Sequence, residues 1–283
     1  MDESILEIVE RETRLLHDDG CDSKASLPNI HKIQHIMDLI WETIFYTNFH
    51  PFNHECDTIR LGLLTIFSDL TVELEILNNS FGNGNLDARR VAKSFLAEIH
   101  NLKRRILGDV NAVLRKDPAA SGPLEIIASY PSIRAILYYR VARVLYDLKV
   151  PVLPRMITEL AHSATGIDIH PGAVIGQNFA IDHGTGVVIG ETCVIGDNVT
   201  LYQGVTLGAK AFTYDDDGVP MAVPRHPILE DNVTVYSNAS ILGRITVGHD
   251  TVIGGNVWLT HSVEPYSKIT QSTAITQFAH TLN

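Results

Sequence analysis

The chain has 283 residues, of which 45% are hydrophobic and 19% are charged, and its formal net charge at pH 7 is −11. This length allows one large domain or two ordinary ones, with enough apolar residues for a sizeable core. A net negative charge argues against a nucleic-acid backbone or an anionic membrane as a partner. We therefore expect a globular protein that binds neither nucleic acid nor membrane.

The cysteines and the N-terminus favour a cytoplasmic location. The three cysteines are widely spaced and form no Cys-x-x-Cys pair: Cys21, Cys56 and Cys193. Such usage is typical of a reducing compartment. The N-terminal residues are acidic rather than those of a signal peptide, and no apolar run approaches the ~18 residues of a membrane span.

Residues 1–163 have apolar side chains at spacings of three and four, which predicts an α-helical domain. The glycines at positions 82 and 84 interrupt this pattern. The predicted helices begin near Ile5 and then cover residues 30–46, 56–77, 87–117, 132–148 and 154–162.

Between residues 169 and 263 the apolar period changes to six. The first series is Ile169, Ile175, Ile181, Ile189, Ile195, Leu201, Leu207, Leu229, Val235, Ile241, Val247, Ile253 and Leu259. A second apolar or small series follows four residues later and includes Ala173, Phe179, Thr185, Cys193, Val199, Val205, Val233, Ala239, Ile245, Thr251, Val257 and Val263. The alternating pattern of a β-sandwich would not keep this six-residue register over so long a segment.

A period of six is the hexapeptide repeat of a parallel β-helix, in which three short strands and three corners make one triangular coil. The aliphatic residues point inward and stack on their equivalents in the next coil, each contributing about 1.5–3 kcal/mol by burial. The sequence thus predicts an α+β chain with an α-helical domain at residues 1–163 and a parallel β-helix at residues 164–283. The second domain includes a loop at residues 209–224 and a short C-terminal tail.

The repeat is broken twice, and regular coils offer no concave pocket, so we expect the chemistry at these breaks. The inward residues at positions 181 and 189 are eight apart, and the resulting bulge carries Asp182 and His183 beside two glycines. The inward residues at positions 207 and 229 are twenty-two apart. This longer insertion contains three consecutive aspartates and returns through Arg225 and His226.

Several motifs together resemble those of the serine O-acetyltransferases, a family of the hexapeptide-repeat acyltransferase superfamily. They are DIHP at 168–171, DHGTGVVIGET at 182–192, GVTLG at 204–208 and RHP at 225–227, with Asp109 and DPA at 117–119 in the helical part. The resemblance covers residues 109–263. It implies a left-handed β-helix, a hand that general rules for parallel crossovers do not predict.

The resemblance also implies the reaction, which transfers acetyl from acetyl-CoA to the hydroxyl of L-serine and gives O-acetyl-L-serine for cysteine biosynthesis. An alcohol needs a base to act as a nucleophile, and the imidazole of His183 is our candidate, because imidazole titrates near neutral pH. Asp168 matches the family's carboxylate that pairs with this histidine. No metal is expected.

The same resemblance assigns the substrate-binding residues. Arg225 would hold the serine carboxylate in a charge-assisted pair, with His226 alongside, and Asp117 and Asp182 would hold the ammonium. Arg225 could instead anchor its loop through a salt bridge, and Asp117 could simply end a helix before a proline. His170 is more simply a corner residue than a ligand.

For the acetyl-CoA arm, the positions that match the family's contacts are Gly208, Ser237 and Gly255. They are small residues that permit close approach along a groove between neighbouring coils. Basic residues near them in sequence, which could hold the CoA phosphates, are Lys210, Arg244 and Lys268. The sequence does not choose among the three.

The departures from the family pattern concern regulation and assembly. The loop at 209–224 resembles that of a subgroup with an expanded loop, and could form a lid or pack on a neighbouring subunit. The chain ends at Leu282 and Asn283 rather than in an isoleucine-terminated tail, so we do not expect a cysteine synthase complex. The resemblance further implies a homotrimer or dimer of trimers, with active sites between neighbouring prisms, and inhibition by cysteine at the serine site.

Three other readings remain open from the residues. A different hexapeptide acyltransferase, acting on a sugar or another amino acid, would share the coils and His183. A γ-type carbonic anhydrase would use three histidines on zinc, but His170, His183 and His226 are thirteen and forty-three residues apart and lack a close His-x4-His pair. A non-catalytic scaffold would leave the bulge unexplained.

Overall fold

The structure is a computed structural model that describes residues 5–18, 26–49, 56–81 and 85–271. The predicted break at 82–84 and the chain end at Leu282 and Asn283 lie outside these residues. Within them, seven helices precede the strands: α1 (Ile5–Asp18), α2 (Ile30–Phe49), α3 (Cys56–Phe81), α4 (Ala88–Lys116), α5 (Pro123–Ser129), α6 (Pro131–Asp147) and α7 (Leu153–Thr165). The sequence did not predict α5.

Helix α4 illustrates why apolar residues at spacings of three and four predicted the helices. Asp87 caps its N-terminus, its side chain accepting a hydrogen bond from the backbone N–H of Arg90 at 2.9 Å. The apolar stripe of α4 is buried along the whole helix, including Phe95 and Ile106. The helix ends at Lys116, one residue before Asp117, because the following proline disfavours helical backbone there.

The C-terminal half is a parallel β-helix of five coils, and each strand has only two or three residues. Its strands are β1 (Asp168–Ile169), β2 (Val174–Ile175), β3 (Ala180–Asp182), β4 (Val188–Ile189), β5 (Val194–Ile195), β6 (Thr200–Tyr202), β7 (Thr206–Gly208), β8 (Ile228–Leu229), β9 (Thr234–Val235), β10 (Ser240–Leu242), β11 (Thr246–Val247), β12 (Val252–Ile253), β13 (Trp258–Leu259) and β14 (Lys268–Ile269). The hexapeptide prediction is confirmed.

The strands form three flat faces that we name A, B and C. Face A has the order β1-β4-β7-β10-β13, face B has β2-β5-β8-β11, and face C has β3-β6-β9-β12-β14. On face A the inward column is Ile169, Ile189, Leu207, Ile241 and Leu259, each paired with the next. These five side chains are at most 2% exposed, so the coil is held by a continuous aliphatic stack.

The bulge between β3 and β4 corrects one assignment. Thr185 was placed in the inward series, but it is exposed, and Val187 is buried in its place at 0% exposure. The two extra residues move the inward position to Val187, two before Ile189, where every regular coil has its second inward residue. The insertion therefore pushes residues 182–186 outward without disturbing the stack.

The long insertion between β7 and β8 forms a small hairpin. Tyr214 and Pro220 make an antiparallel bridge, and the side chain of Asp215 accepts hydrogen bonds from the backbone N–H groups of Asp217 and Val219. Residues 210–222 are all exposed. The insertion is thus ordered by its own contacts rather than by packing on the prism.

A buried ion pair joins the helices to the first coil. The guanidinium of Arg140 on α6 donates to both carboxylate oxygens of Asp109 on α4, at 2.6 and 2.8 Å. Asp109 also accepts from the backbone N–H of Phe179 at 2.9 Å, and Arg140 donates to the carbonyl oxygen of Gly176. With 0% and 2% of these side chains exposed, the pair fixes α4 against β3.

Helix α7 continues to Thr165 and is followed by the left-handed Gly166, and the first strand begins at Asp168. The two parts share one hydrophobic core. Among the helices of the described residues, none combines the length and the hydropathy that a membrane span requires.

Replacing Asp109 with Asn should lower the free energy of unfolding by about 3–5 kcal/mol, because the buried guanidinium of Arg140 would lose its counter-charge. Urea denaturation followed by circular dichroism measures this change. Asp147→Asn is the matched control, since Asp147 pairs with Arg143 but is 55% exposed, and it should cost less than about 1 kcal/mol. Equal effects of the two variants would contradict the structural role given to Asp109.

Candidate active site

The bulge places His183 on the corner between faces C and A. His183 has a φ of 56°, a left-handed conformation that Asn238 and Asn256 also adopt on the same corner of later coils, and its side chain is exposed. The neighbouring Gly184 is buried, and a Cβ there would come within 2.5 Å of Ile167. Position 184 therefore has no room for a side chain, whereas the imidazole of the preceding residue faces solvent.

Asp117 lies next to this corner, held at the end of α4. Its carboxylate accepts a hydrogen bond from the hydroxyl of Tyr130 at 2.5 Å and another from the backbone N–H of Ala119 at 2.8 Å. The Tyr130 hydrogen bond, then that of Ala119 and the nearby His183, lower the pKa of Asp117. The group is thereby kept ionised and fixed in direction.

Asp182 completes an acidic group on the same corner. It is the last residue of β3 and points outward beside Tyr202, its partner in the next coil. Both Asp182 and Asp117 contribute, after hydrogen bonding and burial, to a raised pKa of about 12 for Tyr130. The structure therefore brings together three of the predicted residues, Asp117, Asp182 and His183.

The other predicted substrate residues lie on the corner between faces A and B. His226 is 7% exposed, and its Nδ1 accepts the backbone N–H of Thr192 at 3.1 Å. Burial first, and then the charge of Arg225, lower its pKa to about 4. The ring packs directly over Gly190, where a Cβ would lie 2.0 Å from it. His226 is therefore neutral at pH 7, with its proton on Nε2.

Arg225 is fixed beside His226 by contacts that the sequence did not reveal. Its Nη2 donates to Glu191 at 2.8 Å, which is the loop-anchoring salt bridge that the sequence analysis gave as the alternative role of Arg225. The hydroxyl of Thr192 accepts the backbone N–H groups of both Arg225 and His226. Arg244 donates to the carbonyl oxygens of Thr192 and His226, and so also anchors this loop. The side chain of Arg225 is 22% exposed.

The predicted catalytic base and the predicted substrate-binding residues thus form two groups at the two edges of face A. We call Asp117, Asp182 and His183 the acidic group, and Arg225 and His226 the basic group. Neither the hydrogen bonds nor the ion pairs between described residues connect them. Face A between the edges carries two exposed apolar side chains, Val188 at 37% and Trp258 at 71%.

Asp168 is not engaged with His183 within the chain. It accepts a hydrogen bond from Arg155 of α7 at 3.2 Å, and Arg155 also pairs with Glu159. The predicted pairing of Asp168 with His183 stays a prediction. Glu159, His162 and Asp168 lie close enough together to hold a metal ion, but the guanidinium of Arg155 already supplies a cation there.

The three residues predicted to contact the CoA arm divide between the two corners. Ser237 and Gly255 lie in successive coils on the corner of His183, where Asn256 donates its backbone N–H to Ser237. Gly204 lies between them and the bulge, so this corner is lined by small residues. Gly208 lies instead beside the basic group, where its carbonyl oxygen accepts from Gly243.

Comparison with known proteins identifies the family. No protein-family model matches the chain. A plasmid serine acetyltransferase of Synechococcus elongatus is 53% identical over 186 residues, covering 65% of this chain and 58% of that protein. The serine acetyltransferase of Staphylococcus xylosus is 48% identical over 166 residues, covering 59% of this chain and 73% of that protein. The chain thus spans less than two thirds of the Synechococcus protein.

Solved structures agree with these relatives. Serine acetyltransferase isoform 3 of Entamoeba histolytica, solved in complex with cysteine, superposes with a TM-score of 0.74 at 33% identity, covering 86% of this chain and 83% of that one. This chain belongs to the serine acetyltransferase family. The family predicted from the motifs is confirmed, and so are the acyltransferase class and the left-handed β-helix. The alternative of a γ-type carbonic anhydrase has no support among these serine acetyltransferases.

The low pKa of His226 predicts acid sensitivity. The folded state holds this ring neutral to about pH 4, whereas in the unfolded chain it takes up a proton near pH 6.5. The unfolded state therefore binds more protons between these values, and stability falls as the pH is lowered through them, by about 1–3 kcal/mol.

Denaturant unfolding at a series of pH values measures this loss, with His226→Gln as the control that should lose less stability over the same interval. The same pH dependence in both proteins would show that His226 titrates normally.

Proposed function

We propose that the chain acetylates the hydroxyl of L-serine with acetyl-CoA at a site completed by two copies of the chain. One copy supplies the acidic group with His183, and the other supplies the basic group. The observation that carries this proposal is the separation of the two groups on opposite edges of face A.

The charges of serine explain why both groups are needed. Serine carries an ammonium and a carboxylate on one carbon atom, so its partners must lie within a few ångströms of each other. One chain cannot present Asp117 and Arg225 in this way, since they lie on different corners. Packing face A of one copy against the neighbouring prism would bury Val188 and Trp258 and bring opposite corners together.

The recognition steps follow from the described geometry. The ionised carboxylates of Asp117 and Asp182 would hold the ammonium. The guanidinium of Arg225 would bind the carboxylate, and the Nε2–H of His226 would donate a second hydrogen bond to it. Because Nδ1 of His226 already accepts the backbone N–H of Thr192, Nε2–H is the ring group left to donate to the substrate.

For the chemical step, His183 would accept the proton of the serine hydroxyl as the oxygen attacks the acetyl carbonyl. The tetrahedral intermediate then collapses, the bond from carbon to sulfur breaks, and the imidazolium returns its proton to the departing thiolate. The nucleophile belongs to the substrate, so no acyl-enzyme is formed. The exposed, rigid position of His183 suits this double role.

The acetyl-CoA arm would run along the corner of His183, where Gly204, Ser237 and Gly255 allow close approach. Gly208 would contact it from the neighbouring copy. Of the three candidate phosphate ligands, Arg244 is used in anchoring the basic group, which leaves Lys210 and Lys268. Lys268 lies in the fifth coil, at the opposite end from His183, and suits the distal phosphates.

Regulation, assembly and location are further parts of this proposal. The Entamoeba relative was solved with cysteine, which carries the same ammonium and carboxylate as serine. We propose that L-cysteine competes with serine in this chain, that the chain assembles as a trimer or dimer of trimers, and that it functions in the cytoplasm.

The activity itself is tested by thiol release from acetyl-CoA with and without L-serine. We expect release that depends on L-serine and is not produced by sugars or other hydroxy amino acids at equal concentration. His183→Ala should fold normally and lower kcat by about 10²–10⁴, the usual contribution of a general base. A sugar as the better acceptor would favour another hexapeptide acyltransferase, and unchanged turnover in the variant would remove His183 from the mechanism.

The composite site is tested by mixing chains. His183→Ala and Arg225→Ala should each be nearly inactive alone, because every site lacks one group. In co-expressed mixed trimers about one quarter of the sites would combine two intact halves, so activity should recover to about that fraction of wild type. The control is the sum of the activities of the two variants, each purified and assayed separately. No recovery in the mixed oligomers would place the complete site within one chain.

A further inference from the structure

Two stacked tyrosines stand beside the acidic group on the outer side of face C. The rings of Tyr202 and Tyr236 have centroids 4.9 Å apart and planes inclined by 10°. Tyr202 ends β6 in the second coil, and Tyr236 follows β9 in the third. Nothing in the hexapeptide pattern requires aromatic residues there, because outward positions face solvent.

The stacking direction determines where the open face of Tyr202 points. Neighbouring strands are about 4.8 Å apart, which matches the separation of the two rings, so the rings stack along the axis of the prism. Tyr236 covers one face of the Tyr202 ring. The other face is turned toward the first coil, where the residue in register with Tyr202 is Asp182.

Tyr202 is in register with Asp182 of the acidic group and is influenced by its charge. The pKa of Tyr202 is raised, chiefly by burial and then by the nearby Tyr236, Asp182 and Asp117. The phenol is therefore neutral in the pH range of the reaction. Tyr202 is half-buried, whereas Tyr236 is 43% exposed, which leaves Tyr202 as the inner member of the pair.

We propose that the ring of Tyr202 forms a wall of the ammonium site, lying against a cation held by Asp117 and Asp182, and that it makes the chain selective for acceptors that carry an ammonium. This inference rests on the proposed function of the acidic group. The negative face of an aromatic ring attracts a cation, and the attraction is strongest where water is excluded.

Tyr236 has a supporting role in this arrangement. Its ring packs against the face of Tyr202 that is turned away from Asp182, and so prevents Tyr202 from rotating away from the site. The hydroxyl of Tyr202 makes no hydrogen bond to any described residue, so the ring rather than the hydroxyl carries the effect. This distinction can be tested by substitution.

The test measures KM and kcat for L-serine, and separately the Kd of L-serine by calorimetry without acetyl-CoA. Tyr202→Ala should raise KM and Kd for L-serine by about 5- to 30-fold, with little change in the KM for acetyl-CoA. Tyr202→Phe should stay within about 2-fold of wild type because it keeps the ring. Tyr236→Ala should show a smaller effect in the same direction as Tyr202→Ala.

Two controls complete the design. Tyr266→Ala removes an exposed tyrosine that packs against His249 in the last coil, and it should leave all constants unchanged. 3-Hydroxypropionate, which lacks the ammonium, should bind to wild type much more weakly than L-serine does. The ratio of the Kd of 3-hydroxypropionate to the Kd of L-serine should be smaller in Tyr202→Ala. Thermal unfolding shows whether any variant is misfolded.

The outcomes separate this inference from the proposed function. Unchanged Kd for L-serine in Tyr202→Ala overturns the inference, even if the wild type releases thiol with serine. A wild type that binds serine through Tyr202 but transfers no acetyl would overturn the proposed function and support the inference. A wild type that neither binds nor acetylates serine overturns both, and an equal loss in Tyr202→Phe would assign the effect to the hydroxyl.

Discussion

The buried ion pair between Asp109 and Arg140 is the constraint on which the acidic group depends. It locks α4 onto the first coil, because Asp109 also accepts the backbone N–H of Phe179. The two segments that follow end at Asp117 after α4 and at His183 after β3, and these residues are close enough for the charge of His183 to contribute to the lowered pKa of Asp117. The helical domain in this way positions one carboxylate of the acidic group.

The β-helix supplies the second constraint, since its stacked columns fix every corner at the same position in each coil. A corner that departs from the repeat projects outward without loss of core packing, as the burial of Val187 shows. His183 uses one such departure, and Arg225 and His226 use the other. Because the two departures occur on different corners of the prism, we propose that a second copy of the chain completes the site. The same rigidity keeps Tyr202 in place beside Asp182.

Much of this could be predicted from the sequence. Strict six-residue spacing predicts the coil, the two bulges and the inward columns except at Thr185, because the spacing does not show where the chain returns to the core after a bulge. The structure adds what depends on tertiary contacts, namely the hydrogen bond from Tyr130 to Asp117 and the anchoring of the basic loop by Thr192. Tyr130 had no periodic signal, since it stands between the short helix α5, which the sequence did not predict, and α6. The engagement of Asp168 by Arg155 likewise depends on how α7 packs, which sequence spacing does not reveal.

The central claim is that one serine is held by two subunits. The most direct measurement is a crystal structure of the assembled protein with L-serine or L-cysteine bound. The account predicts the ligand ammonium between Asp117 and Asp182 of one subunit, and its carboxylate on Arg225 of the neighbour. A ligand whose ammonium and carboxylate are both held by residues of a single subunit would contradict it.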